Sequence, residues 1–472
     1  MLGVILKKGG LNMFNIFNLQ SLEEFSDLAE KNSIIEQEEY DKYDVKRGLR
    51  NNNGTGVLVG LTKVGNVQGY EVVNNERKPV PGTLSYRGID LNEIVEGFQK
   101  ENRFGFEEVC YLLLLGSLPN SSQLEAFKDM LKNSRNLPNG FTEDMILKAP
   151  SKDIMNKLQR SILVLYSYDT NPDDNSVKNV LRQSIELIAR IPCMIAYGYQ
   201  AKSHYYDKKS LHIHIPRPEL STAENILYMI RPDNKFTKSE AEILDLALVI
   251  HAEHGGGNNS TFTTHVVSSA GTDTYSAISA AVGSLKGTKH GGANIKVMAM
   301  MKDIKENVSN WEDKEEIENY LRKILDKKVF DKTGLIYGMG HAVYTISDPR
   351  AVLLKKQAYK LAEEKGRIDE FNIYKNVEEI TKKIFKERGR NIATNVDLYS
   401  GFVYDMLNIP VELYTPLFAT ARVAGWCAHR IEQIVAEKKI IRPAYKGIKK
   451  NVSYEKMEDR DEDQCYTFSP KE

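Results

Sequence analysis

The sequence predicts a mainly α protein with a minor β element near its start. Three observations carry that prediction. Long stretches repeat apolar residues every three or four positions between capping and breaking residues, the period of a helix buried on one face. One early stretch, GVLVGLTKVGNVQGYEVVN at 56–74, instead alternates apolar residues with glycines and reads as short strands or hairpins. The chain has 472 residues, more than one ordinary hydrophobic core organises, so two or more lobes are expected.

Residues 1–50 are polar and charge-rich and read as an arm. Its opening, MLGVILKKGGLNMFNIFNLQ, has no acidic residue, is weakly basic and lacks a cleavage site. It reads as an extension, with Met13 an alternative start. After the β stretch, FEEVCYLLLLG (106–116) is a buried helix stopped by Gly116 and Pro119. TKSEAEILDLALVIHAEHGGG (237–257) opens on a capping box of Thr237 and Glu240, runs through a dense apolar face and breaks at three glycines. STFTTHVVSSAGTDTYSAISAAVGSLKG (260–287) is rich in Ala, Ser and Gly, which allow close helix approach, and reads as a central helical layer. WEDKEEIENYLRKILDKK and DPRAVLLKKQAYKLAEEKG are amphipathic with charged outer faces, and TPLFATARVAGWCAHRIEQIVAEKK (415–439) is a further long helix. Residues 451–472 are a polar tail, and no internal repeat is present.

Composition excludes several classes of function. Formal net charge is zero with 64 basic and 64 acidic residues, so no basic surface for nucleic acid or membrane is expected. No apolar run reaches the length of a membrane span. Cys110, Cys193, Cys427 and Cys465 show no CxxC spacing, which argues against a zinc knuckle or a disulfide framework and for a reducing, cytoplasmic setting. The first three are expected to fill core space, whereas Cys465 lies in the polar tail.

Several short stretches carry chemistry. HAEHGGGNNS places His251 and His254 three apart at a helix end, on one face, where they are either two ligands of a metal that lacks a third or one core and one helix-terminal histidine. KHGGAN sets His290 before two glycines; a helix starting near Ala293 would keep that ring neutral. In GMGHAVYTISDPR, His341 follows a glycine and Asp348-Pro349 opens a helix with Arg350 in its first turn. A cation there disfavours the helix dipole, so Arg350 needs a partner, either a carboxylate of this protein or one of a ligand. Asp397 stands before an apolar helical run in NVDLYSGFVYDML, where an aspartate serves well as an N-cap. Arg422 sits inside a small-residue helix where it should not be unpaired, and Arg442 lies on an irregular segment before a proline. Histidines beside glycines, one carboxylate and three arginines together suit general acid–base chemistry on a small dicarboxylate.

In this order and spacing, GTLSYRGIDL (82–91), FEEVCYLLLLGSLP (106–119), HAEHGGGNNSTF (251–262), KHGGAN (289–294), GMGHAVYTISDPRA (338–351), NVDLYSGF (395–402), ARVAGW (421–426) and RPAYKG (442–447) resemble the citrate synthase family. The resemblance spans residues 80 to 450. It implies a two-domain helical fold and a homodimer with shared active sites. Its implied division is a large domain (51–290), a small domain (291–402) and a return to the large domain (403–450); the N-terminal arm (1–50) and the polar tail (451–472) lie outside it.

The resemblance also implies roles. His290 would hydrogen-bond the thioester carbonyl of acetyl-CoA, Asp397 would take a methyl proton, and His341 would polarise the ketone of oxaloacetate. His254, Asn258, Arg350, Arg422 and Arg442 would hold the dicarboxylate. Acetyl-CoA is a co-substrate, and no metal or other cofactor is expected. The sequence departs from the family at Thr288-Lys289, where many members have a proline and an apolar residue, and at Thr345, where many carry a base that contacts CoA phosphate. On this reading the glycines beside His290 and His341 let substrate and backbone approach the imidazoles. The alternatives are 2-methylcitrate synthase acting on propionyl-CoA, a metal-dependent hydrolase built on His251 and His254, and a non-catalytic relative.

Overall fold

The structure, a computed structural model, describes residues 19–460 apart from Asn75. Most of the N-terminal extension, Met13 within it, and Cys465 in the tail lie outside the described residues. The chain divides into two units: Leu58–Arg442, and Met1–Val57 together with Pro443–Glu472. Among its described residues the second contains the α-helices Leu19–Ser33 and Gln37–Lys42, so the polar arm is partly helical.

Leu58–Arg442 is built from helices, with one three-stranded antiparallel sheet among the described residues. Strand Gly65–Val73 pairs with Glu76–Tyr86 from Gly65↔Tyr86 to Val73↔Glu76, and the register shifts between Gln68 and Tyr70. Ile89–Asp90 adds a short third strand. The glycine-studded stretch thus becomes a hairpin only in its second half.

The helical elements follow their local signals. Phe106–Leu115 ends at Gly116, whose φ of +90° is the left-handed C-cap glycine tolerates. Lys238–His251 carries the Thr237/Glu240 capping box. The Ala/Ser/Gly stretch forms two helices, Asn259–Ser269 and Thr274–Lys286, rather than one, because Asp273 caps the second through Ser276 N–H. Tyr414–Ala436 is the central helix. It packs against Val177–Tyr205, Asn259–Ser269, Thr274–Lys286, Phe106–Leu115 and Lys238–His251. Small residues Ala419, Ala421, Ala424 and Ala428 are buried along it and let those neighbours come close. Cys110, Cys193 and Cys427 are buried free thiols in this core.

A second group of helices carries the other half of the site. Asp397–Met406 packs on Pro349–Glu364 and Ala293–Asn307, and Lys314–Leu325 packs on Ile368–Glu387. Among the described residues no helix is long and apolar enough to cross a membrane.

Candidate active site

The hairpin cradles the segment that carries His341. Arg77 Nη2 donates to Val343 O at 2.9 Å, Gly82 N–H donates to Ser347 Oγ at 3.1 Å, and Tyr344 donates its hydroxyl to Thr83 O at 3.1 Å. Tyr344 stacks on the His341 ring with centroids 4.6 Å apart. The backbone N–H groups of Val343 and Tyr344 both donate to His341 Nδ1, each at 3.1 Å. A nitrogen that accepts two N–H bonds carries no proton, so the proton of the neutral ring is on Nε2. That N–H points at His254 Nε2, 3.1 Å away. His254 therefore accepts at Nε2 and holds its own proton on Nδ1, a buried donor without a hydrogen-bond partner. Burial first, then Arg350 and His341, push the His254 pKa well down, which keeps this ring neutral.

His251 behaves differently from His254. The Lys238–His251 helix ends at His251, so His254 lies beyond it and the two share no helical face. His251 is a core residue: its Nδ1 bonds Ala247 O at 2.7 Å, its ring packs edge-on to Phe418, and burial lowers its pKa to about 3. Among the described residues no three His, Cys, Asp or Glu side chains gather where they could hold a metal ion.

His290 precedes a helix that starts at Ala293, as its sequence suggested. The backbone N–H of Ser260 donates to His290 Nε2 at 3.3 Å, and Ser260 Oγ lies 3.1 Å from the same nitrogen. With Nε2 accepting, Nδ1 carries the proton. Burial and then the charge of Arg422 lower its pKa to about 4. Ser260 Oγ also donates to Asn258 Oδ1 at 2.9 Å and accepts from Trp426 Nε1 at 3.1 Å. Asn258 is thus joined to His290 through Ser260. Ser260 and Trp426 were not legible as site residues, because a serine near a helix start and a tryptophan in an apolar helix are ordinary core and cap residues.

The glycines beside these histidines serve the chain itself. A Cβ on Gly291 would press on the Leu285 carbonyl and stand 3.0 Å from the Thr415 methyl. Gly340 has φ +93°, and its N–H donates to Ala393 O at 2.7 Å. Close packing at Gly291 and a left-handed backbone at Gly340 each require a glycine on their own account.

Asp397 is the first residue of the Asp397–Met406 helix and its carboxylate makes no capping bond; Asn395 Oδ1 instead accepts the Asp397 N–H at 3.0 Å. The N-cap reading of Asp397 is therefore wrong. Burial raises its pKa to about 6 against the opposing pull of Arg350.

The three arginines occupy three situations. Arg350 is 3% exposed and forked onto Asp348, Nε to Oδ1 at 3.0 Å and Nη2 to Oδ2 at 2.7 Å. Asp348 also caps the helix by accepting Arg350 N–H. The partner of Arg350 is thus a carboxylate of this protein. Arg422 is 0% exposed and donates Nε–H to His251 O at 2.7 Å, with its guanidinium 4.7 Å from the Phe418 ring centroid. Neither Nη1 nor Nη2 has a hydrogen-bond partner. Burial lowers its pKa to about 10, which still leaves it charged at neutral pH. Arg442 is exposed beyond the Tyr414–Ala436 helix and is not brought to the other site residues by any hydrogen bond. His254, His341, His290, Arg350, Arg422 and Asp397 share one electrostatic neighbourhood, each shifted by or shifting another. Chemically, the arrangement offers two neutral N–H donors, a carboxylate base and a buried cation whose fork is open to an anion.

Comparison with known proteins identifies the family to which this fold belongs. Residues 53–444 match the family model described as citrate synthase, C-terminal domain. A citrate synthase of a Synechocystis species is 33% identical over 407 residues, covering 86% of this chain and 92% of that protein. A 2-methylcitrate synthase 1 of Corynebacterium glutamicum is 32% identical over 413 residues, covering 86% of this chain and 96% of that protein. Among solved structures, the ternary complex of carboxymethyl coenzyme A and oxaloacetate with citrate synthase from Thermoplasma acidophilum matches with a TM-score of 0.71 at 27% identity, over 88% of this chain and 99% of that one. The Thermotoga maritima citrate synthase matches with a TM-score of 0.69 at 31% identity, over 89% of this chain and all of that one. By fold, by family model and by relatives that align along nearly their full length, the chain belongs to the citrate synthase family.

Proposed function

We propose that the chain condenses acetyl-CoA with oxaloacetate and water to give citrate and free CoA. The observation that carries this reading is Arg422: a fully buried guanidinium with both terminal nitrogens unpaired, close in field to His254 and Arg350. A buried cation of that kind is costly unless an anion meets it. A dicarboxylate presents the planar oxygens such a fork accepts.

The chemistry then follows from where protons sit. The acetyl methyl is a very weak acid. Asp397 takes its proton, and His290 Nδ1–H donates to the thioester oxygen as negative charge grows there. The enol carbon attacks the ketone carbon of oxaloacetate and a C–C bond forms. The ketone oxygen becomes an alkoxide, and the Nε2–H of His341 supplies its hydrogen bond. In this structure that N–H rests on His254 Nε2, and the ketone oxygen competes for it. The proton that Asp397 took from the methyl group ends on that alkoxide, giving the citrate hydroxyl and returning Asp397 to its charged form. Water then attacks the thioester carbonyl and the C–S bond breaks; one proton of the water leaves with CoA as the thiol and the other is released as the new carboxylic acid ionises. On this reading Asp397, His290 and His341 serve proton removal and C–C bond formation, and Arg422 holds the dicarboxylate.

We further propose a homodimer in which Arg442 reaches the partner's site, with residues 291–402 forming the lobe that closes over oxaloacetate. Among the described residues Arg442 is exposed and is not hydrogen-bonded to the other site residues, and Leu61, in the same unit, is 90% exposed on an irregular segment, apolar surface that a second copy would cover. The buried free thiols fit a reducing cytoplasm. The test is thiol release by purified protein given oxaloacetate with either acetyl-CoA or propionyl-CoA. The proposal expects acetyl-CoA to be preferred in kcat/KM. A preference for propionyl-CoA would make the chain a 2-methylcitrate synthase, a change a pocket difference of about 1–3 kcal/mol can produce. No release with either thioester would overturn the reaction.

A further inference from the structure

Glu253 stands one residue before His254 and is 0% exposed. Its Oε1 accepts Gly255 N–H at 2.5 Å and lies 3.0 Å from His429 Nε2. Behind His429 are His265, whose Nε2 is 3.1 Å from His429 Nδ1, and Gln433, whose Oε1 is 2.8 Å from His265 Nδ1. Glu432 Oε2 faces His429 Nδ1 at 3.8 Å. The other oxygen of Glu253, Oε2, has no hydrogen-bond partner.

Two glycines make room for this carboxylate. A Cβ on Gly65 would stand 2.7 Å from Glu253 Cγ, and one on Gly425 would press on Oε2 and stand 2.5 Å from Ala252 O. Gly425 follows Arg422 by three residues on the same helix, so it shares that face. A buried carboxylate oxygen without a donor therefore lies within about one helical turn of a buried guanidinium whose two terminal nitrogens have no acceptor. Their attraction helps hold Glu253 ionised against the effect of burial, and it raises the Arg422 pKa against the same effect. Stability alone is a weak reason to keep a carboxylate there, because well-packed apolar groups serve cores as well or better.

We propose that Glu253 is a positioning residue of the anion pocket: clamped by His429, it fixes the turn that carries His254 and partly offsets the charge that Arg422 offers to a dicarboxylate. The two effects have opposite signs. Fixing the turn tightens oxaloacetate binding; offsetting Arg422 loosens it and favours release. The inference rests on the reading of oxaloacetate as the ligand.

Calorimetric titration of oxaloacetate into the full chain, with melting curves alongside, separates the two effects. Glu253→Gln keeps an acceptor for Gly255 and His429 and removes the charge. It is expected to bind oxaloacetate about threefold to tenfold more tightly, the scale of a screened charge interaction inside a protein. Glu253→Ala removes charge and clamp together and is expected to bind about tenfold more weakly. His429→Asn withdraws the clamp but leaves the charge, and it too is expected to weaken binding. Gln and Ala variants that weaken binding alike, in step with lost thermal stability, would overturn the inference while leaving the reaction intact. Unchanged affinity in His429→Asn would do the same even where the Glu253 variants do not fold. Wild-type protein that binds no oxaloacetate would overturn the functional reading and this inference with it.

Discussion

His341 donates its Nε2–H to His254 Nε2 across 3.1 Å, and two backbone N–H groups on its Nδ1 fix the ring as neutral. The backbone around 341–344 therefore sets the protonation state of a side chain that a ketone oxygen would meet. Removing it with His341→Ala should cut kcat by roughly 10²–10³-fold, the usual share of one oxyanion donor. The fold should survive, since the ring is only part-buried. Steady-state kinetics with a melting curve reads both.

The acid limb of the pH–rate profile should belong to Asp397. Its pKa is raised to about 6, while burial holds His290 near 4 and His254 well below its ordinary value. Activity should therefore fall as pH drops through about 6, following a single proton. Initial rates from pH 5 to 8 at saturating oxaloacetate test this. A limb set by two or more protons would mean that a histidine must titrate as well.

Asp397→Asn should be less active and more stable at once. Turnover should drop by roughly 10²–10⁴-fold with the loss of a general base. The wild-type carboxyl has a folded pKa of about 6 against 3.8 when free, so the folded state favours the protonated form. That contribution is present below pH 3.8 and is lost as pH rises through 6. The asparagine variant escapes the loss and should gain about 1–3 kcal/mol above pH 7, where two pKa units set the ceiling. Equal melting temperatures for both proteins at pH 8 would contradict the assignment of strain to Asp397.

Arg442 should act on the partner's site. Arg442→Ala should weaken oxaloacetate binding by roughly tenfold or more, the loss of a charge-assisted hydrogen bond of about 1.5–3 kcal/mol. Asp397→Asn and Arg442→Ala proteins, both impaired at oxaloacetate well below the Arg442→Ala Kd, should when mixed and re-dimerised form hybrids with one doubly defective and one intact site. Activity should return, at up to half of wild type per hybrid. Hybrids that form yet stay inactive would place Arg442 within its own chain.

Much of the fold was legible because caps and breakers act locally. The Thr237/Glu240 box, Gly116 and Asp348-Pro349 each ended or began a helix where their chemistry required. The site was legible only as residue types. Local sequence could not distinguish the forked Arg350, satisfied by Asp348 two residues away, from the open Arg422, whose neighbours come from a distant helix end. The same limit hid Ser260, Trp426 and Glu253, whose partners lie far away in sequence. Beside His290, Gly291 is also required by packing on the Thr415 side chain, a contact that crosses the sequence and could not be read locally, whereas the left-handed φ of Gly340 is the kind of position a glycine signals.

The central claim is that the open fork of Arg422 anchors a dicarboxylate, and titration calorimetry of oxaloacetate into wild type and Arg422→Met tests it most directly. Wild type should bind and melt at a higher temperature with the ligand present. The methionine variant should lose roughly a hundredfold or more in affinity while still melting in one cooperative transition, which separates lost binding from lost folding. Oxaloacetate binding to Arg422→Met with wild-type affinity would contradict the account.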